Sequence, residues 1–250
     1  MSALLLLLIA LGAIAWFQKS GRGAYRRLKT LSDTEFRQRR YRRWIARAAL
    51  AFALPALIGL ALLHRLAALT QLPPEFAPAR ALLPVVEGSA AALATGLLGG
   101  AAVGGLIAGI LAATRSKRSL LPPFGNVGTL MPRNRPERAY ATAVSVFAGI
   151  TEELAFRLYL PLLITLVTGS AILAFALAAL LFGTMHRYQG WGGVTATTLV
   201  GLVMTAVYLV TGALWLAMLL HALVDLNGLV LRSVLHPPAG AKNHRDHDQA

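Results

Sequence analysis

The fold class predicted by the sequence is all-α: a polytopic helical bundle integral to a membrane, with about seven (six to eight) transmembrane helices. Three observations predict it. The 250 residues are 56% hydrophobic and only 14% charged, against roughly 45–50% and about 25% in an ordinary globular domain. Apolar stretches of about 17–25 residues recur, long enough to cross a bilayer core of about 30 Å at about 1.5 Å per residue. The charge behind the formal net of +14 is gathered in the intervals between those stretches, where basic residues hold a loop on the cytoplasmic face and attract anionic lipids. No nucleic-acid module accompanies the charge, so nucleic acid is not an expected partner. With no cysteine, a disulfide framework, thiolate chemistry and the cysteine proteases are excluded.

Residues 1–17 are expected to form the first transmembrane helix, over Ala3 to Phe17. Its small-residue triplet Ala13-Ile14-Ala15 resembles a cleavage site, but no basic region precedes the apolar run and the flanking charge follows it. An uncleaved helix with its N-terminus outside is expected. The interval 18–44 reads as a basic cytoplasmic loop: Lys19, Arg22, Arg26, Arg27, Lys29, Arg37, Arg39, Arg40, Arg42 and Arg43 stand against Asp33 and Glu35. Residues 45–114 hold two further spans. The first, Ile45 to Ala68, is interrupted by Pro55 and carries His64 and Arg65 near its far end, where they can snorkel. The second, Gly88 to Thr114, places Gly96, Gly100 and Gly104 at a spacing that suits close helix packing.

A second basic loop is expected over 115–138, with Arg115, Lys117, Arg118, Arg133, Arg135 and Arg138 against Glu137. The membrane core follows over 139–235, with spans at Ala139 to Thr168, Ala171 to Met185, Val194 to Val210 and Ala213 to Leu235. Gly169-Ser170 and Thr211-Gly212 make tight turns on one side, and His186 to Gly193 a polar link on the other. The polar tail, 236–250, is expected to be solvated, its His244, Asp246, His247 and Asp248 included. This topology puts the N-terminus outside and the C-terminus inside, in a bacterial cytoplasmic (inner) membrane.

Of the ten acidic residues, only Glu152, Glu153 and Asp225 fall within apolar spans. An ionisable group there costs at least about 2.5–3.5 kcal/mol on insertion scales and faces a partner or a wet cavity. Arg157, His186 and His221 are the other intramembrane ionisable groups of this region. Glu153 and Arg157 are four apart, which puts them on one helix face and leaves Glu152 as the freer carboxylate. Asp225 lies four after His221 and suits a carboxylate that fixes the imidazole tautomer. The link after His186 is expected to dip into the bundle and bring that ring toward Glu152 and His221.

Such a group supports peptide hydrolysis in two ways. Glu152 acts as general base, while one histidine orients water or protonates the leaving amine and the other stabilises the oxyanion. Alternatively His186, His221 and Glu152 ligate zinc with a position open for water. Glu153 with Arg157 reads equally as a helix ion pair, and Phe182 as packing beside the site. A transporter or proton pathway would use the same buried groups as relays.

Glu152-Glu153-Leu154-Ala155-Phe156-Arg157 matches EExxxR, Phe182 to His186 matches FxxxH, and His221 to Asp225 matches HxxxD/N. In this the sequence resembles the CPBP family of CAAX prenyl endopeptidases and bacteriocin-processing (Abi) proteins, over about Ala139 to Leu235. The resemblance implies an intramembrane endopeptidase acting on a membrane-associated peptide or protein, with Glu152, His186 and His221 as its catalytic set. The last motif position is asparagine in the eukaryotic prenyl-protein enzymes and Asp225 here, as in bacterial members. The family has been described both as metallo- and as glutamate-dependent proteases, and its Abi name also allows a noncatalytic immunity or scaffold protein.

Overall fold

The computed structural model describes residues 2–31, 33–83 and 130–235, and all regular structure among these residues is helical. Helix α1 (Ala3–Thr30) starts at Ser2, whose hydroxyl accepts the Leu5 amide hydrogen at 3.4 Å. It does not stop at Phe17. The interval 18–44, expected as a loop, holds the second half of α1 and most of α2 (Thr34–Ala48), which Asp33 caps by accepting from the Phe36 amide at 2.9 Å. Lysine and arginine are good helix formers and no proline interrupts the interval. Its charge therefore bears on membrane placement and says nothing against helix.

Helix α2 passes through a π turn (Ala49–Ala53) directly into α3 (Leu54–Leu62). Pro55 sits in the first turn of α3. A proline lacks the amide donor and crowds the carbonyl four residues back, and the wider π turn ahead of it absorbs both defects. The helix ends at Leu62, short of the expected Ala68, because His64 turns the chain with a left-handed backbone (φ 56°). Short helical turns at Leu66–Leu69, Pro74–Phe76 and Ala77–Arg80 follow, and Arg65 ion-pairs with Glu75.

The same device recurs in the next long helix. Helix α4 (Arg135–Glu153) begins where the Asn134 side chain accepts from the Glu137 amide at 2.9 Å, runs into a π turn (Leu154–Tyr159), and continues as α5 (Leu160–Thr168) with Pro161 in its first turn. Gly169 (φ 74°) ends it, and Ser170 caps α6 (Ala171–Met185). Helix α7 (Trp191–Thr211) ends at Gly212 (φ 69°), and α8 (Leu214–Asp225) runs through a third π turn (Leu226–Leu231) into α9 (Arg232–Leu235). A side chain at φ near +70° is strained, so glycine suits both tight connections.

Among the described residues four helical stretches are long and apolar enough to cross a membrane: Ala3–Gly21, Thr34–Leu62, Trp191–Thr211 and Leu214–Leu231. Helix α6 is apolar but shorter. The unbroken run from Arg135 to Thr168 is long enough and carries Glu152, Glu153 and Arg157 within it. The expected span Gly88 to Thr114 with its spaced glycines, residues 115–129 of the expected basic loop, and the tail 236–250 lie outside the described residues.

Helix α4 packs most extensively on α8, α2 lies along α4, and α6 packs between α5 and α7. A column of rings crosses this core, with centroids 4.7 Å apart for Phe17 and Phe52, 5.6 Å for Phe52 and Phe156, and 5.3 Å for Phe156 and Phe182. At the basic end of the bundle, Glu137 is not a loop carboxylate but a wholly buried one. Its two oxygens accept from the Thr34 hydroxyl (3.2 Å), Arg37 Nε (3.0 Å), the Arg133 amide (3.0 Å) and Arg133 Nη2 (3.1 Å). Arg37 also donates to the Leu28 and Met131 carbonyls, both at 3.1 Å. This clasp ties α1 and α2 to the start of α4. Burial works to raise the Glu137 pKa, but the hydrogen bonds from Arg133 and Arg37 outweigh it and hold the carboxyl below the usual carboxylate value.

Candidate active site

Glu152 and Glu153 end α4 just ahead of its π turn, and α8 brings His221 against them. Gly149 permits the approach. A Cβ there would lie 2.8 Å from both the Ala222 amide nitrogen and the Met218 carbonyl oxygen. With nothing larger than hydrogen between the backbones, His221 Nδ1 reaches Glu153 Oε1 at 2.7 Å. The other oxygen of Glu153 lies 3.0 Å from Arg157 Nε, the i, i+4 ion pair expected from the spacing. Glu153 and Arg157 are both wholly buried.

The orientation of His221 corrects the expected role of Asp225. Its oxygen is 3.9 Å from Nε2, too far for a hydrogen bond, and the carboxylate that holds the ring at Nδ1 is Glu153. An i, i+4 pair shares a face, but the α4 backbone comes so close that the interhelical contact is the shorter one. Glu152 is the freer carboxylate: it lies 4.0 Å from His221 Nε2, with its side chain 13% exposed. Nε2 therefore faces the carboxylates of Glu152 and Asp225, neither within hydrogen-bond distance.

His186 terminates α6, and its Nδ1 lies 3.0 Å from the Phe182 carbonyl oxygen. A carbonyl only accepts, so Nδ1 carries the hydrogen and Nε2 keeps a lone pair. Phe182 packs beside the site, as expected. Its ring centroid is 5.0 Å from that of His186, 5.8 Å from that of His221, and 4.5 Å from the guanidinium carbon of Arg157. Gly183 supports this corner, because a Cβ there would fall 1.9 Å from Thr198 Oγ1 on α7.

The link after His186 is shorter than expected. A 3-10 turn (Arg187–Gln189) and Gly190 (φ 89°) lead into α7 at Trp191 instead of Val194. The Tyr188 ring lies 6.3 Å from that of Trp44. Trp44 is ten residues into α2, about 15 Å from its start at about 1.5 Å per residue. The turn thus sits at the level of Trp44, about 10 Å along α2 from Arg37 of the Glu137 clasp.

Two features went unread in the sequence. The bond between Glu153 and His221 joins residues 68 apart, and no local pattern announces it. Gly149 did leave a signal: it lies one helical turn before Glu153 on the same face. The zinc alternative requires His186, His221 and Glu152 to converge as ligands. Among the described residues no group of three or more His, Cys, Asp or Glu side chains is arranged to hold a metal ion, and His221 Nδ1 is engaged by Glu153.

Residues 135–227 match the model of a known family, described as Rce1-like, type II CAAX prenyl endopeptidase. That segment is similar to an Rce1-like domain. It spans α4 to α8 and includes Glu152, Glu153, Arg157, His186, His221 and Asp225, in agreement with the family motifs in the sequence. Helices α1 to α3 lie outside the matched segment. Comparison with curated proteins and with solved structures found no match in either. The long apolar helices are those of an integral membrane protein, and its segment 135–227 is similar to the Rce1-like family.

Proposed function

We propose that the protein is an endopeptidase that hydrolyses a peptide bond of a membrane-associated peptide or protein by Glu152-activated water. The observation that carries this reading is the fixed imidazole of His221, held at Nδ1 by Glu153 while Nε2 faces Glu152 at 4.0 Å. In the proposed reaction His186 Nε2 accepts one hydrogen of the water and Glu152 takes the other as oxygen attacks the carbonyl carbon. With carboxylates on both sides of its ring, His221 donates from Nε2 to the developing oxyanion. Collapse breaks the C–N bond, and the proton held by Glu152 passes to the leaving amine. Arg157 holds Glu153 in place, and Asp225 lies beside His221 Nε2 without orienting the ring. No step is routed through a metal.

The chain is further proposed to lie in a bacterial cytoplasmic membrane with its N-terminus outside and its C-terminus inside. The basic end of the bundle, with exposed Arg39, Arg42 and Arg43, then meets anionic lipids on the cytoplasmic face. Because the chain has no cysteine, single introduced cysteines labelled from either side test that topology. The function itself is tested on protein purified in lipid, with membrane-tethered peptides and wild type, Glu152→Ala, His186→Ala and His221→Ala compared. Cleavage by wild type alone supports the reading, and equal cleavage by all four removes the site. Metal analysis and chelator titration on the same preparation decide the zinc alternative: full activity of metal-free protein eliminates it.

A further inference from the structure

Two contacts reach the His186 turn from helices outside the Rce1-like domain. Gln18 Nε2 on α1 donates to the Thr184 carbonyl oxygen at 3.0 Å. Thr184 lies in the last turn of α6, where carbonyls have no partner within the helix, and His186 follows two residues later. On the other flank, the Trp44 indole of α2 meets the Tyr188 ring edge-on, at 6.3 Å and 73°. The Tyr188 ring in turn lies 5.8 Å from that of His186.

We infer that Gln18 and Trp44 are positioning residues for His186, so that α1 and α2 complete the site from outside the matched domain. The inference rests on the reading of His186 as part of the hydrolytic set. The ring of His186 is fixed from within α6 by the Phe182 carbonyl, but its backbone stands at a helix end followed by a short 3-10 turn. Helix ends and short turns open at the least cost. The His186 and Gln189 amides bond only within the turn, to the Gly183 and His186 carbonyls at 3.0 and 2.9 Å. Gln18 grips the segment one side of His186 and Trp44 backs the other. Phe17, next to Gln18, packs on Phe52, which sets the rotation of α1 that aims Gln18 at Thr184.

The test compares wild type, Gln18→Leu, Trp44→Ala and Trp44→Phe in lipid, by cleavage kinetics on a membrane-tethered peptide and by hydrogen exchange. Gln18→Leu and Trp44→Ala are expected to lower kcat by about 10- to 100-fold, the cost of a small misplacement of a reacting group, with KM held within about twofold. Trp44→Phe restores most of kcat, since an aromatic edge remains. Amide exchange of residues 184–190 rises by about tenfold in the two impaired variants while that of α4 and α8 stays at the wild-type rate. Unchanged kcat and exchange would overturn the inference. So would a rise in KM at constant kcat, which would make these residues substrate contacts, or faster exchange throughout, which would make them general supports of the fold. A wild-type protein that cleaves no peptide would remove the endopeptidase reading instead, and the exchange of residues 184–190 would then decide the positioning by itself.

Discussion

Glu137 and Glu153 lie on the same helix, α4, and both are wholly buried, yet their surroundings follow opposite rules. Around Glu137 each carboxylate oxygen accepts two hydrogen bonds, and the arginine on its far side also donates to two backbone carbonyls. Around Glu153 one oxygen holds His221, while the other faces an arginine whose Nη1 and Nη2 are buried with no hydrogen-bond partner among the described residues. Beyond it, His221 Nε2 stands 4.0 and 3.9 Å from two further carboxylates, outside hydrogen-bond distance of both. A buried ion network saturated with partners locks a structure, whereas one with open valences retains groups able to bind and react. Under the proposed function, the difference separates the end of α4 that fixes the fold from the end that would do chemistry.

The largest effect expected is at the open cluster. Glu152→Gln should lower kcat by about 10²- to 10⁴-fold, the usual share of a general base, with the thermal unfolding temperature unmoved. A variant that lost stability in step with activity would erase the contrast. Glu137→Ala should do the reverse: removing one member of a buried ionic network costs about 3–5 kcal/mol, read as a lowered denaturation midpoint, while molecules that remain folded keep the wild-type kcat. Glu153→Gln should lower kcat by about 100-fold, through a misplaced His221, and Asp225→Asn by distinctly less. Equal losses would return the orienting role to Asp225.

Gly149→Ala tests the approach that joins the two helices. Its Cβ would meet backbone at 2.8 Å on α8, so about 1–3 kcal/mol of stability and most of the activity should go together. The smallest effect expected concerns acid. The folded-state pKa of Glu137 is lowered from 4.5, so its contribution to stability is full above pH 4.5 and is lost as pH falls through the lower folded value. Glu137→Gln should therefore flatten the acid limb of the stability curve and leave neutral pH activity in place.

Much of this layout was legible from residue types. Apolar run lengths located the helices of the matched domain, and Ala171–Met185 matches its expected bounds, because serine capping and terminal glycines act over a few residues. The rarity of charge inside those runs picked out Glu152, Glu153, Arg157, His186, His221 and Asp225 before any geometry. What escaped depends on contacts between distant segments. Glu137 looked like a lone acid among arginines, and only the packing of α2 along α4 buries it. The Asp225 spacing favoured an intrahelical partner for His221, whereas Gly149 lets a different helix come closer. Charge density in 18–44 marks an interval at the membrane surface, but its lysines and arginines are good helix formers and the chain there is mostly helical.

The clasp also bears on how the chain is made. Arg37 leaves the ribosome 100 residues ahead of Glu137, so the α1 and α2 hairpin enters the bilayer long before the carboxylate that completes its basic end. Assembly of α4 against α2 is then a late step in biogenesis, in which Arg37 waits 100 residues for the carboxylate that neutralises it.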